Sequence, residues 1–191
     1  MQLIMSIVRL QRDSSGDLSA DGISEKFYEN LENRINAIAG VHEMLYQSPD
    51  LSTIEMQPFL ENLVHLVAYG HDAPHVTIDA GDVAVRIEAA VPLSLITNEL
   101  LVNARKYGGR HGRGCNVEIN LQRLGESLLL TVDDDGPGFP DGFRIGNGGG
   151  LGYSLVEALT SQLAGKVEVW SDRGAHIRLE IHVPGGIPST L

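Results

Sequence analysis

The chain has 191 residues, 42% apolar and 20% charged, which is the make-up of an ordinary soluble globular protein of one or two domains. A net charge of −11 argues against nucleic acid or an anionic membrane as the main partner, yet leaves room for an anionic small ligand held by backbone N–H groups and a few lysines. No apolar run reaches the roughly 18 residues needed to span a bilayer, and no basic segment leading into an apolar run and a small-residue cleavage site opens the chain, so neither a membrane contact nor a signal peptide is expected.

In chain order, "MQLIMSIVRL" places Leu3, Ile4, Ile7, Val8 and Leu10 at helical spacing. It starts on an apolar turn without an N-cap signal, which suggests a helix that begins before Met1. "DSSGDLSADG" is a polar connector, and Phe27, Leu31, Ile35, Ile38, Val41 and Leu45 mark a second helix from about Ser24 to Gln47. Residues 1–50 thus read as an incomplete helical hairpin with too little apolar surface to stand alone, suited to a dimeric four-helix bundle. Beyond "SPDLS", the run "TIEM" alternates, and Pro58 opens a helix of about a dozen residues stopping at Gly70. "VTIDA" and "VAVRI" read as strands joined at Gly81, and Pro92 as the start of the helix "PLSLITNELLVNARKYG", with Leu95, Ile96, Leu100 and Val102 on its buried side. "NVEINLQRL" and "SLLLTVD" form a hairpin around Gly125. The glycine-rich "RIGNGGGLG" leads into the helix "YSLVEALTSQLAG", and "KVEVW" and "AHIRLEIHVP" are strands around "SDRG". Residues 51–185 are therefore expected to be an α+β sandwich, one mixed sheet with helices on one face, followed by a short tail at 186–191.

Three stretches carry chemistry. Glu99, Asn103 and Lys106 stand four and three residues apart and share a helix face, as an acid, an amide and an ammonium would in a site or on an ordinary solvated surface. "GGGLG" before a helix lets the backbone approach a phosphate at a helix N-terminus, although it fits neither a P-loop nor a dinucleotide fingerprint, and a flexible linker is the plain alternative. "DDDGPGF" ends a strand with glycines that leave room for a flat ligand, beside carboxylates able to accept a hydrogen bond from an exocyclic amine. Calcium-loop spacing is absent, while a plain acidic turn stays open. The seven histidines have no metal-ligand spacing and there is no CxxC, so no zinc site is expected. The single Cys115 fits a cytoplasmic protein with an inert thiol.

The order of these pieces resembles the ATPase family that takes in gyrases, the heat-shock chaperone, mismatch-repair ATPases and histidine kinases. "NELLVNARKYG" is similar to its N box, "DDGPG" to its G1 box and "GGLGYSLV" to its G2 box, over most of residues 90–184. "MQLIMSIVRLQ" and "NRINAIAGVHEMLYQSPDLSTIEM" resemble the second class of histidine-kinase dimerisation hairpin. The resemblance implies a Bergerat-type ATP-binding domain, ATP and Mg2+ as ligands, a homodimer, an upstream sensor domain and a response-regulator receiver as partner. It gives Asp134 the hydrogen bond to the adenine amine, with Asp133 and Asp135 facing solvent or closing the turn. Gly136 and Gly138 match the G1 glycines, and Gly150, Leu151 and Gly152 the G2 loop. Asn103 matches the magnesium ligand, Lys106 the cation facing the phosphates, and Glu99 the acid that assists proton removal from the attacking imidazole. "RGAHIRLEI" lacks the threonine that often follows the last glycine in this family.

The family's phosphoacceptor histidine lies in an "H-R-x-K-N-N"-like run just ahead of "LQLI", about where this chain begins, so the acceptor is expected outside these residues. His42 in "VHEMLY" matches the second-helix motif, where the histidine is not the acceptor. Two other readings compete with a sensor kinase: a non-catalytic phosphotransferase-like adaptor, which would not need all three boxes, and an anti-sigma-factor-type serine kinase, which would not need residues 1–48.

Overall fold

The computed structural model describes residues 34, 35, 39, 53–67, 73–109, 114–145 and 150–182. Most of the expected hairpin, His42, residues 146–149 of the glycine loop and the tail 186–191 lie outside them; Arg34, Ile35 and Ala39 are helical.

The alternating "TIE" forms β1 (Thr53–Glu55). The next element, α1 (Met56–Val67), has the expected dozen residues but starts ahead of Pro58. That proline stands in the first turn, where its missing N–H would have had no intrahelical partner anyway. β2 (His75–Asp79) and β3 (Ala84–Arg86) are both strands, yet they do not pair with each other. The chain turns at Gly81, and α1 captures the turn: Met56 N donates to Val83 O at 2.8 Å and Ala80 N to Gln57 Oε1 at 2.7 Å. β3 is thereby swung onto β1, with buried Ile54 opposite buried Val85. The single mixed sheet expected from the sequence is corrected to a two-stranded sheet beside a five-stranded one.

The larger sheet runs β2-β4-β5-β7-β6, with β4 (Asn116–Leu124), β5 (Ser127–Asp134), β6 (Lys166–Ser171) and β7 (Ala175–His182). β2 and β4 are parallel and the other pairs antiparallel. The hairpins at Gly125 and "SDRG" fall where alternation and turn chemistry placed them. Period-two alternation divides the faces: Ile119, Val132 and Ile177 lie side by side in the core, and the neighbouring row Glu118, Asp133 and His176 points the other way.

α2 (Ile87–Asn103) corrects a boundary, because Pro92 is inside the helix rather than at its start. Proline there removes the bond that Glu88 O would have accepted, a cost this helix meets by enclosure. Thirteen of its seventeen residues are buried, Leu95, Ile96, Leu100 and Val102 among them. It packs against α1 and α3 (Gly150–Gln162) and shares one core with the inner face of the sheet. A helix buried nearly all round, Ser94, Thr97, Asn98 and Glu99 included, is a central helix, not an amphipathic surface one. It runs on into a π-helical turn, Ala104–Gly108.

Candidate functional site

Alternation at the end of β5 gives the three aspartates different surroundings. Asp133 lies on the outer face, where its Oδ1 is 2.7 Å from His176 Nδ1. Asp135 closes the turn onto β4, its two carboxylate oxygens accepting from Asn116 N at 2.8 Å and Nδ2 at 2.6 Å. Asp134 lines a cavity, and its Oδ1 accepts from Gly136 N at 2.9 Å and Ala175 N at 3.2 Å. Ala175 follows the last glycine, at the position lacking the family's threonine, and its backbone N–H supplies a polar contact there.

The cavity measures ≈ 690 Å³, within the range of small-ligand sites. Leu100, Val132 and Ile177 give it apolar walls, and Asn103, Gly138 and Gly150 also line it. Phe139 and Phe143 stack with centroids 4.6 Å apart, and Tyr153 meets Phe143 edge-on at 5.1 Å. All three rings face the cavity. Phe139 and Phe143 stand in the sequence as isolated phenylalanines, with no pattern that pairs them. Tyr153 was missed, and its only signal was its place directly after the glycine loop. Gly138 has φ +78, a conformation a side chain rarely adopts, and a Cβ on Gly136 would lie 2.6 Å from Gly108 Cα. The π-helical turn and the β5 end can therefore meet backbone to backbone at the cavity's edge.

The G2 and N-box positions converge at Gly152. A Cβ there would sit 2.8 Å from Glu99 Oε2 and 3.5 Å from Asn103 Nδ2. Asn103 lines the cavity, and its Nδ2 is buried with no partner among the described residues. Glu99 does not reach the cavity wall: it is 7% exposed, and Oε1 accepts from Arg34 Nε at 2.7 Å. No sequence signal marked Arg34. Gly150 opens α3, and the half-buried Leu151 follows it. Lys106 is exposed on the π-helical turn and is not part of the cavity lining, so the three-residue face shared by Glu99, Asn103 and Lys106 ends where the α-helix widens.

Burial, followed by the Asp134 charge, pushes the Tyr153 phenol up to about 12 and the Cys115 thiol up to about 11. Both stay protonated at neutral pH, so Tyr153 offers a hydroxyl and Cys115 is not a nucleophile.

Residues 88–185 match the family of histidine kinase-, DNA gyrase B- and HSP90-like ATPases, and residues 1–69 match a histidine kinase family. Blue-light-activated histidine kinase 2 of Erythrobacter litoralis is 27% identical over 100% of this chain and 55% of its own length. Sensor histidine kinase PdtaS of Mycolicibacterium smegmatis is 25% identical over 97% of this chain and 37% of its own. The chain thus spans about half, or less, of these curated relatives. Among solved structures, the histidine kinase domain of the Erythrobacter litoralis EL346 blue-light activated kinase superposes with a TM-score of 0.72, over 95% of this chain and 84% of that one, at 22% identity. That likeness shows the fold, of α+β type. With more than half of its residues matched, the chain belongs to the histidine kinase-, gyrase B- and HSP90-like ATPases, and within them to the histidine kinases. No helix among the described residues is long and apolar enough to cross a membrane.

Proposed function

We propose that this chain is the ATP-binding catalytic region of a cytoplasmic sensor histidine kinase, which passes the γ-phosphate of ATP to a histidine and thence to an aspartate of a response-regulator receiver. On this reading residues 1–50 belong to a dimerisation hairpin, 51–185 to the ATP-binding domain and 186–191 to a tail, and a sensor domain lies upstream. The observation that carries it is the Asp134 carboxylate, fixed by two backbone N–H groups on the wall of an apolar cavity that Asn103 also lines. A carboxylate oriented in this way accepts a hydrogen bond from the adenine amine, while apolar and aromatic walls suit the flat base.

Gly136 and Gly138 keep the turn open beside the base, and Gly150, Leu151 and Gly152 bring the start of α3, with its partial positive charge, to the phosphates. Lys106 serves the same anionic end. Magnesium needs few protein oxygens and completes its shell with phosphate and water, a role the Asn103 amide suits. When bound, it would neutralise phosphate charge. Glu99 is the residue that takes the imidazole proton.

The test is a calorimetric titration of the chain with Mg-ATP and Mg-GTP analogues. ATP should bind and GTP should not, because guanine presents a carbonyl oxygen to Asp134 where adenine presents an amine. Equal affinity for both would remove the role given to Asp134. No affinity for either would favour the non-catalytic adaptor. Phosphate that survives base and is lost in acid, found on this chain after incubation with ATP, would mean that one of its own histidines, His42 first, is an acceptor, and would overturn the expectation that the acceptor lies outside these residues.

A further inference from the structure

The buried pair Arg34–Glu99 joins residues 65 apart in sequence, one within the segment matched to a histidine kinase family and one within the ATPase match. Its side chains are only 4% and 9% exposed. A carboxylate removed from water to that degree needs a charged partner, and Arg34 Nε supplies it at 2.7 Å. The second oxygen is closed in as well, since Gly152 packs so tightly that a Cβ would stand 2.8 Å from Oε2.

A proton acceptor must come within about 2.6–3.2 Å of the atom it deprotonates. With one oxygen held by Arg34 and the other against the start of α3, no imidazole reaches Glu99 in this arrangement. α2 and α3 share one continuous core, so their separation would dismantle the fold. Arg34 is the contact that can leave. On the same helix, Thr97 Oγ1 and both amide atoms of Asn98 are buried without partners among the described residues.

We propose that Arg34 is a positioning residue that locks Glu99 in a resting, docked arrangement, and that Glu99 becomes available as a proton acceptor only when this ion pair opens. The proposal rests on the reading of Glu99 given above and adds a regulatory contact to it. Movement of the helical segment carrying Arg34 would then set the kinase between resting and active states.

The test is carboxyl footprinting of the full chain with a water-soluble carbodiimide and an amine, read by peptide mass. Glu99 should be shielded in the parent and label about tenfold faster, or more, in Arg34→Ala. Arg34→Lys should restore part of the protection by keeping a cation in place. Affinity for an ATP analogue should stay within about twofold in both variants, because Arg34 does not line the cavity. A second readout is the distance between spin labels at Ala39→Cys and Glu157→Cys, both exposed positions. It should be narrow in the parent and broad in Arg34→Ala. Glu99→Gln, which keeps the shape and removes the charge, should broaden it too, and the double variant should broaden it no further. That second route decides the matter if Arg34→Ala fails to fold. Unchanged Glu99 labelling together with unchanged distances would overturn the proposal, as would broadening in Arg34→Ala with none in Glu99→Gln. A parent that binds no ATP analogue would defeat the proposed function, while the labelling still reports on the lock.

Discussion

Asp134 differs from its two neighbours in what its carboxylate meets, and that decides which substitution affects ligand binding. Asp134→Asn keeps the oxygen that accepts from Gly136 and Ala175 but loses the charge toward the cavity. A hydrogen bond to a charged group contributes about 1.5–3 kcal/mol, so affinity for an ATP analogue should fall about tenfold to a hundredfold with the melting temperature little changed. A titration beside a thermal melt checks both. His176 allows a second prediction. One ring nitrogen faces the Asp133 carboxylate and the other the Asp172 carbonyl, both acceptors only, so the imidazole satisfies both when doubly protonated. The Asp172 carbonyl, and then Asp133, raise its pKa above the ordinary 6.5 against the opposing effect of burial. Trp170 stacks on the ring at 5.2 Å and suits a cation. Because the folded value is the higher one, the stabilisation is complete below 6.5 and is lost as pH rises through the raised folded value. NMR titration should place the His176 pKa above 6.5 in the parent and lower in Asp133→Asn.

At the scale of elements, the turn between β6 and β7 supports the site from behind. A Cβ on Gly174 would stand 1.7 Å from the Asp134 carbonyl oxygen, which is backbone and cannot rotate away. Gly174→Ala should therefore cost at least about 1–3 kcal/mol, as overpacked positions do, and should loosen the Ala175 N–H contact with Asp134. Denaturant unfolding with an unchanged m value reads the first, and a weaker ATP-analogue affinity the second. The π-helical turn after α2 is an element of the same kind. It ends at Gly108, against Gly136, and gives the cavity a rim on which Tyr107 is 65% exposed.

For the whole molecule, α2 is the shared core of sheet and helices, so damage there should spread to every part. Leu95 is fully buried, and Leu95→Ala should cost about 2–5 kcal/mol, with α1, α3 and the sheet melting in one transition seen by circular dichroism. The sequence by itself determined the family, the hairpins at Gly125 and "SDRG", the buried side of α2 and the order of the three boxes. Each of these rests on local spacing, such as alternation, glycine punctuation or residues four apart, and survives without knowledge of the neighbours. Tertiary structure decided where Pro92 sits, because enclosure on all sides let α2 begin ahead of it. It also decided the pairing of β3, which went to β1 once α1 had captured the turn at Gly81. The distinct surroundings of Asp133, Asp134 and Asp135 depend on which strand lies beside each, and the aromatic trio of Phe139, Phe143 and Tyr153 on two separate segments meeting. Above all it placed Arg34 on Glu99, a contact across 65 residues that no local pattern can encode, since a buried charge is matched by whatever the fold brings to it.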